Sequence, residues 1–143
     1  GMLTEQEQYK QFLHDNYGGI RRMICAAYKA LVGNDVKLEL VGNSIDGVVW
    51  LDGRPQPDRA TVEAKITELE ELEAMRLLRI ERDRLLTETD WVVTKAAETG
   101  VAESTAWKTY RQQLRDLPST ASPKLDLDEL LRFSNVTWPT KPS

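Results

Sequence analysis

The chain has 143 residues, 41% of them hydrophobic and 29% charged, a globular balance rather than a disordered one. One cysteine, Cys25, and one histidine, His14, exclude an intramolecular disulfide framework and leave no Cys/His set for a zinc cage or a nucleophile–base pair. A net charge of −4 and a pI near 5.1 argue against attraction of the whole chain to nucleic acid, while leaving room for a local basic face.

At the N-terminus, Gly1 ahead of Met2 reads as a cleavage scar. No basic-then-apolar leader follows, and no apolar run approaches the roughly 20 residues that cross a bilayer, so the expectation is a protein of a reducing cytoplasm, off the membrane. From Thr4 to about Leu31, residues Tyr9, Phe12, Leu13, Tyr17, Ile20, Ile24, Tyr28 and Leu31 recur three or four apart, the spacing of one helical face. Gly18-Gly19 divides this stretch into two helices, and Gly33-Asn34 supplies a left-handed stop. Residues 36–41 and 45–51, rich in β-branched and aromatic side chains, flank Gly42-Asn43-Ser44 and predict a β-hairpin. The connector 52–58 holds two prolines, which remove backbone donors and fix φ, and it sets an expected domain boundary between residues 1–57 and 58–143.

Thr61 to Leu86 predicts one long helix without interior Gly or Pro. Val62, Ile66, Leu69, Leu77 and Ile80 share a face, and further apolar residues make its second half hydrophobic nearly all round, so it must pack against something. Its charges are segregated, with Glu63, Glu68, Glu70, Glu71 and Glu73 first and Arg76, Arg79, Arg82 and Arg84 last. A solvated face complementing the helix dipole explains this order, and so does antiparallel pairing of two copies, which would make a homodimer through the 61–86 helix. Asp90 predicts the cap of a short helix through Ala97, closed by Gly100. A helix from Glu103 to Asp116 follows, presenting Trp107, Tyr110, Leu114 and Leu117 and ending at Pro118. Ser119 to Lys124 reads as a linker, Leu127 to Phe133 as a docking helix, and Trp138 to Ser143 as extended chain in which the tryptophan either docks or is offered to a partner.

No Walker loop, dinucleotide fingerprint, nucleophile elbow, zinc-protease motif or calcium loop is present, and the carboxylates have no histidine partner, so no enzyme and no cofactor are expected. Val93 to Asp116 has helix-turn-helix spacing, with Gly100 in the turn and Lys108, Arg111 and Arg115 set to meet phosphates. Trp107 and Tyr110 on the would-be reading helix and the acidic chain around it weigh against DNA binding; a helical hairpin with a glycine cap explains the same residues.

Three strings occur in order across residues 76–142: Arg82-Asp83-Arg84-Leu85-Leu86-x-x-Thr89-Asp90-Trp91, then Trp107-x-x-Tyr110-Arg111-Gln112-Gln113-Leu114, and Val136-x-Trp138-Pro139-Thr140-Lys141-Pro142. This half resembles the phage tail assembly chaperone family. The resemblance implies a protein that binds phage tail proteins, such as the tape-measure protein, in the host cytoplasm and keeps them from aggregating before the tube polymerises. A virion tail or fibre accessory protein is the second reading and a DNA-binding regulator the third. Such a chaperone needs an adaptable apolar surface. The candidates are Leu77, Leu78, Leu85, Trp91, Trp107, Tyr110 and Trp138, with Arg111 of the second string; the apolar ones are equally candidates for the core. The expected fold is α+β and mostly helical: N-terminal helices and a β-hairpin, then a long helix and a C-terminal helical hairpin.

Overall fold

A computed structural model describes residues 2, 4–8, 19–126 and 132–143. The fold is α+β and mostly helical, as the sequence predicts. Helix α1 is Gly19–Val32, strands β1 and β2 are Leu38–Leu40 and Val48–Trp50, helix α2 is Arg59–Glu88, α3 is Asp90–Thr99 and α4 is Thr105–Thr120. Strands β3, Lys124–Asp126, and β4, Arg132–Ser134, follow. The chain forms two compact units, Gly1–Glu73 with Leu125–Arg132 and Ala74–Lys124 with Phe133–Ser143, so the division falls inside α2.

The expected helix upstream of Gly18 falls largely on residues outside those described. Its start is visible in residues 5–8, where Thr4 Oγ1 accepts from Glu7 N at 3.1 Å and Glu7 Oε2 accepts from Thr4 N at 3.2 Å. This reciprocal capping box satisfies amides that an open helix end leaves unpaired.

In the first unit α1 buries Ile24, Ala27 and Tyr28 against Val62 of α2, with Ile20, Leu31, Ile66 and Leu69 around them. The hairpin covers this core through one face. Leu38 pairs with Trp50 and Leu40 with Val48, all partly buried, whereas Glu39 and Val49 between them are exposed, the two-residue alternation of a half-buried ribbon. Trp50 stands 5.7 Å from Tyr28, ring to ring. Arg21 ties α1 to the hairpin by donating to Leu40 O at 3.2 Å and to Gly42 O. Gly33, at φ +149°, ends α1; its neighbour Asn34 keeps a negative φ.

The second strand starts later than the sequence suggests. Residues Ile45–Gly47 form a 3-10 turn instead of its first three residues, because Ser44 Oγ accepts from Asp46 N at 3.2 Å and caps it. Gly47 closes the turn where Val41 N donates to Gly47 O at 2.9 Å. A Cβ at Gly47 would lie 1.8 Å from Val41 O, so only glycine fits.

After β2, the Asp52 carboxylate, 6% exposed, accepts from Lys37 N, Arg54 N and Arg54 Nε, each at 2.9 Å. The Arg54 hydrogen bonds hold its carboxyl well below the usual carboxylate range. Asp58 then caps α2 through Thr61 N at 2.8 Å, which lowers its own titration.

In the second unit Ala74, Leu78, Val92, Tyr110, Leu114 and Leu117 are buried. The face predicted for α2 holds at Val62, Ile66 and Leu69 and then fails at Ile80, which is 54% exposed. Leu78 is the buried position, and two residues along a helix is a rotation of about 200°, which turns Ile80 outward. Asp90 lies in the first turn of α3 rather than capping it, since the cap position belongs to Thr89. Gly100 closes α3 as expected, in the left-handed conformation at φ +71°, its N–H donating to Ala96 O at 3.0 Å. Ser104 caps α4 by accepting from Trp107 N at 3.3 Å.

Pro118 does not end α4, which runs on to Thr120 across what reads as linker. A proline so near the end costs one amide, and the last carbonyls find other donors: Ser119 Oγ to Asp116 O at 2.7 Å and Ala121 N to Leu117 O at 2.9 Å. The predicted docking helix lies mostly outside the described residues, and its last member, Phe133, sits in a strand. Trp138 to Ser143 has no helix or strand, as its prolines require, and the Trp138 ring packs 6.2 Å from Phe133.

Candidate functional site

The motif strings of the C-terminal half meet in space, and Arg111 is where they join. Helix α2 stops at Glu88 and α3 starts at Asp90, leaving Thr89 between them, fully buried and polar. Its Oγ1 lies 3.2 Å from Leu85 O and from Leu86 O, to which its hydroxyl donates, and accepts from Arg111 Nη1 at 2.7 Å. Arg111 Nη1 also donates to Leu86 O at 2.9 Å, and Nη2 pairs with Asp90 Oδ1 at 3.0 Å. The planar guanidinium therefore serves a carbonyl in the last turn of one helix and the first acid of the next.

Trp91, next in the string, packs edge-on against Trp107 at 5.5 Å, and Trp107 packs against Tyr110 at 6.1 Å. Thr89-Asp90-Trp91 is thus matched by Trp107-x-x-Tyr110-Arg111. The third string joins through Lys141, whose Nζ lies 2.9 Å from Glu88 Oε1. That pairing lowers the titration of Glu88 and raises that of Lys141. Asn135, at φ +65°, donates from Nδ2 to Ser122 O at 2.8 Å, fixing the approach of this last segment.

These contacts sort the candidate residues. Leu78, at 0% exposure, and Tyr110, at 3%, are interior, while Leu77, Leu85, Trp107 and Trp138 are partly buried. Trp91 is 52% exposed and, of the candidates, opens furthest to solvent, with the exposed Val101 lining the same groove. The Arg111 side chain, 11% exposed, is engaged in the clamp and is not presented to phosphate as the DNA reading supposes. Arg115 donates to Gln112 Oε1 at 2.7 Å, and Lys108 is exposed.

Between the end of α3 and the start of α4 lies an open groove of about 290 Å³, with Trp91 and Trp107, Val92 and Ala96, and Val101 and Ala102 among its walls. Glu103 and Lys95 also line it. Glu103 Oε2 is buried and has no hydrogen-bond partner among the described residues. Sequence reading treats Glu103 only as the start of a helix; the signal it lacks is the fold of the Gly100 turn, which brings an acid 12 residues beyond Trp91 to the same groove.

Among the described residues, no helix is long and apolar enough to cross a membrane. Residues 75–143 match the model of a family described as phage tail assembly chaperone protein, the stretch over which the motif strings run. Comparisons with curated proteins and with solved structures gave no match. The C-terminal half carries this family's domain, which supports a role in phage tail assembly and points to partners among phage tail proteins.

Proposed function

We propose that this chain is a non-enzymatic phage tail assembly chaperone that holds a tail protein, in the first instance the tape-measure protein, in the host cytoplasm until the tube polymerises. The observation that carries the reading is the family match over residues 75–143. The layout of that half supports it. The polar motif residues Thr89, Asp90 and Arg111 are spent on one another, which leaves Trp91 and Val101 as exposed apolar groups beside one groove. An apolar patch rimmed by charge suits reversible contact with apolar segments of a client. A second copy is a further proposed partner: α2 carries an acidic run from Glu68 to Glu73 ahead of Arg76 and Arg79, and Leu72 and Ile80 on it are exposed.

Co-expression of the tagged chain with the tape-measure protein of the same phage tests the reading. The expected result is a tape-measure protein that stays in the supernatant and co-elutes with the tag, and a chain missing from purified virions. Phage DNA in the eluate without any tail protein would overturn it. A dimer gives twice the chain mass by light scattering at micromolar concentration, and a single chain mass removes that part.

A further inference from the structure

The groove beside Trp91 and Trp107 combines features that a nonspecific greasy patch lacks. Its volume, about 290 Å³, lies just below the range of pockets that enclose whole small ligands and matches a single inserted side chain. Two indoles at its wall, 5.5 Å apart and edge-on, supply the aromatic surface that attracts a cation. At the wall with them sits a buried carboxylate oxygen, Glu103 Oε2, without a donor among the described residues. A buried acceptor left unmatched is costly, so it is the group most rewarded by an incoming N–H.

We propose that this groove is a socket for one arginine side chain of the client, its guanidinium against the Trp91 and Trp107 rings and its N–H groups donating to Glu103. Arginine suits it better than lysine because its flat, weakly hydrated head stacks on an indole while a fork of donors stays free for the carboxylate. Lys95 lines the same groove but is exposed, and no hydrogen bond joins it to Glu103 among the described residues, so it leaves the acid open and repels a cation. The inference rests on the chaperone reading for the source of the arginine; the socket itself stands on these residues alone.

The test uses the full chain and capped arginine, N-acetyl-arginine methylamide, as probe, followed through the indole N–H resonances of the four tryptophans assigned with single Trp→Phe variants. Saturable shifts of the Trp91 and Trp107 signals are expected, with little change at Trp50 and Trp138. The neutral isostere, capped citrulline, should bind at least about tenfold more weakly, the loss expected when a charge-assisted pair is removed. Glu103→Gln should weaken the arginine by a similar factor while melting at the wild-type temperature, and Lys95→Met should strengthen it. Equal shifts from capped citrulline, or full affinity in Glu103→Gln, would overturn the socket, as would weaker binding in Lys95→Met, which would mark an anion site. Capture of the tape-measure protein separates the two readings. If Glu103→Gln captures as much as wild type, the socket fails and the chaperone stands; if wild type captures none yet still binds capped arginine, the chaperone fails and the socket stands.

Discussion

Arg111 donates to a helix-end carbonyl, to a buried hydroxyl and to a carboxylate, and no shorter or neutral side chain can reach all three. Arg111→Ala takes the donor from the buried Thr89 Oγ1 and the partner from Asp90 and is expected to cost about 2–3 kcal/mol, read as a lower urea midpoint at constant slope. Arg111→Lys should recover only part of this, since an ammonium keeps the charge but loses the fork. The sequence shows Arg111 as part of a recurring string and hides its role, because its partners lie 21 to 25 residues away, beyond the reach of helical periodicity. Gly47 is hidden differently. Ile45 to Val49 has strand composition, and only the cap from Ser44 turns its first part into a 3-10 turn. Gly47→Ala forces a Cβ into Val41 O and should destabilise the chain by about 3 kcal/mol, measured the same way.

Across α2, composition and the absence of breakers fix the helix within two residues at each end, and its burial pattern is where sequence reading slips. Assigning Ile80 to the inner face requires one face to serve throughout, whereas the helix buries Val62 in the first unit and Ala74 and Leu78 in the second. Paired truncations separate the two patterns. Leu78→Ala is expected to cost about 3 kcal/mol in thermal or urea unfolding, as a fully buried leucine does, and Ile80→Ala no more than about 0.5 kcal/mol. Equal losses at both positions would contradict the inner face described here. Helix ends were legible where a glycine sets them, at Gly33 and Gly100. They were not at Pro118, where a proline that would break a helix interior sits harmlessly in the last turn.

Over the whole molecule, fold class and the family match of residues 75–143 follow from the sequence because they rest on element content and on residue strings, while the groove does not, since its walls come from two helices and the turn between them. Another property that emerges only in three dimensions is the acid response. Hydrogen bonds from Arg54 depress Asp52, the Thr61 cap depresses Asp58, Arg84 depresses Glu81 and Lys141 depresses Glu88. Each of these carboxyls releases its proton more readily folded than unfolded, so the unfolded chain binds more protons and stability rises with pH. Their contribution is complete above the unfolded carboxylate values of about 4 and fades as pH falls below them. Glu70 runs the other way. Burial, with Glu71 beside it, raises its titration, so its stabilising effect belongs to the protonated form and is lost as pH rises through the folded value. Four depressed groups against one raised group predict a melting temperature that is level near neutrality and drops between about pH 5 and pH 3. Glu70→Gln should raise the melting temperature at pH 7 and lose that advantage at pH 3, because the amide replaces a buried charge in one case and a neutral acid in the other. A melting temperature independent of pH from 7 to 3 would show that these hydrogen-bonded carboxylates contribute nothing to the folded state.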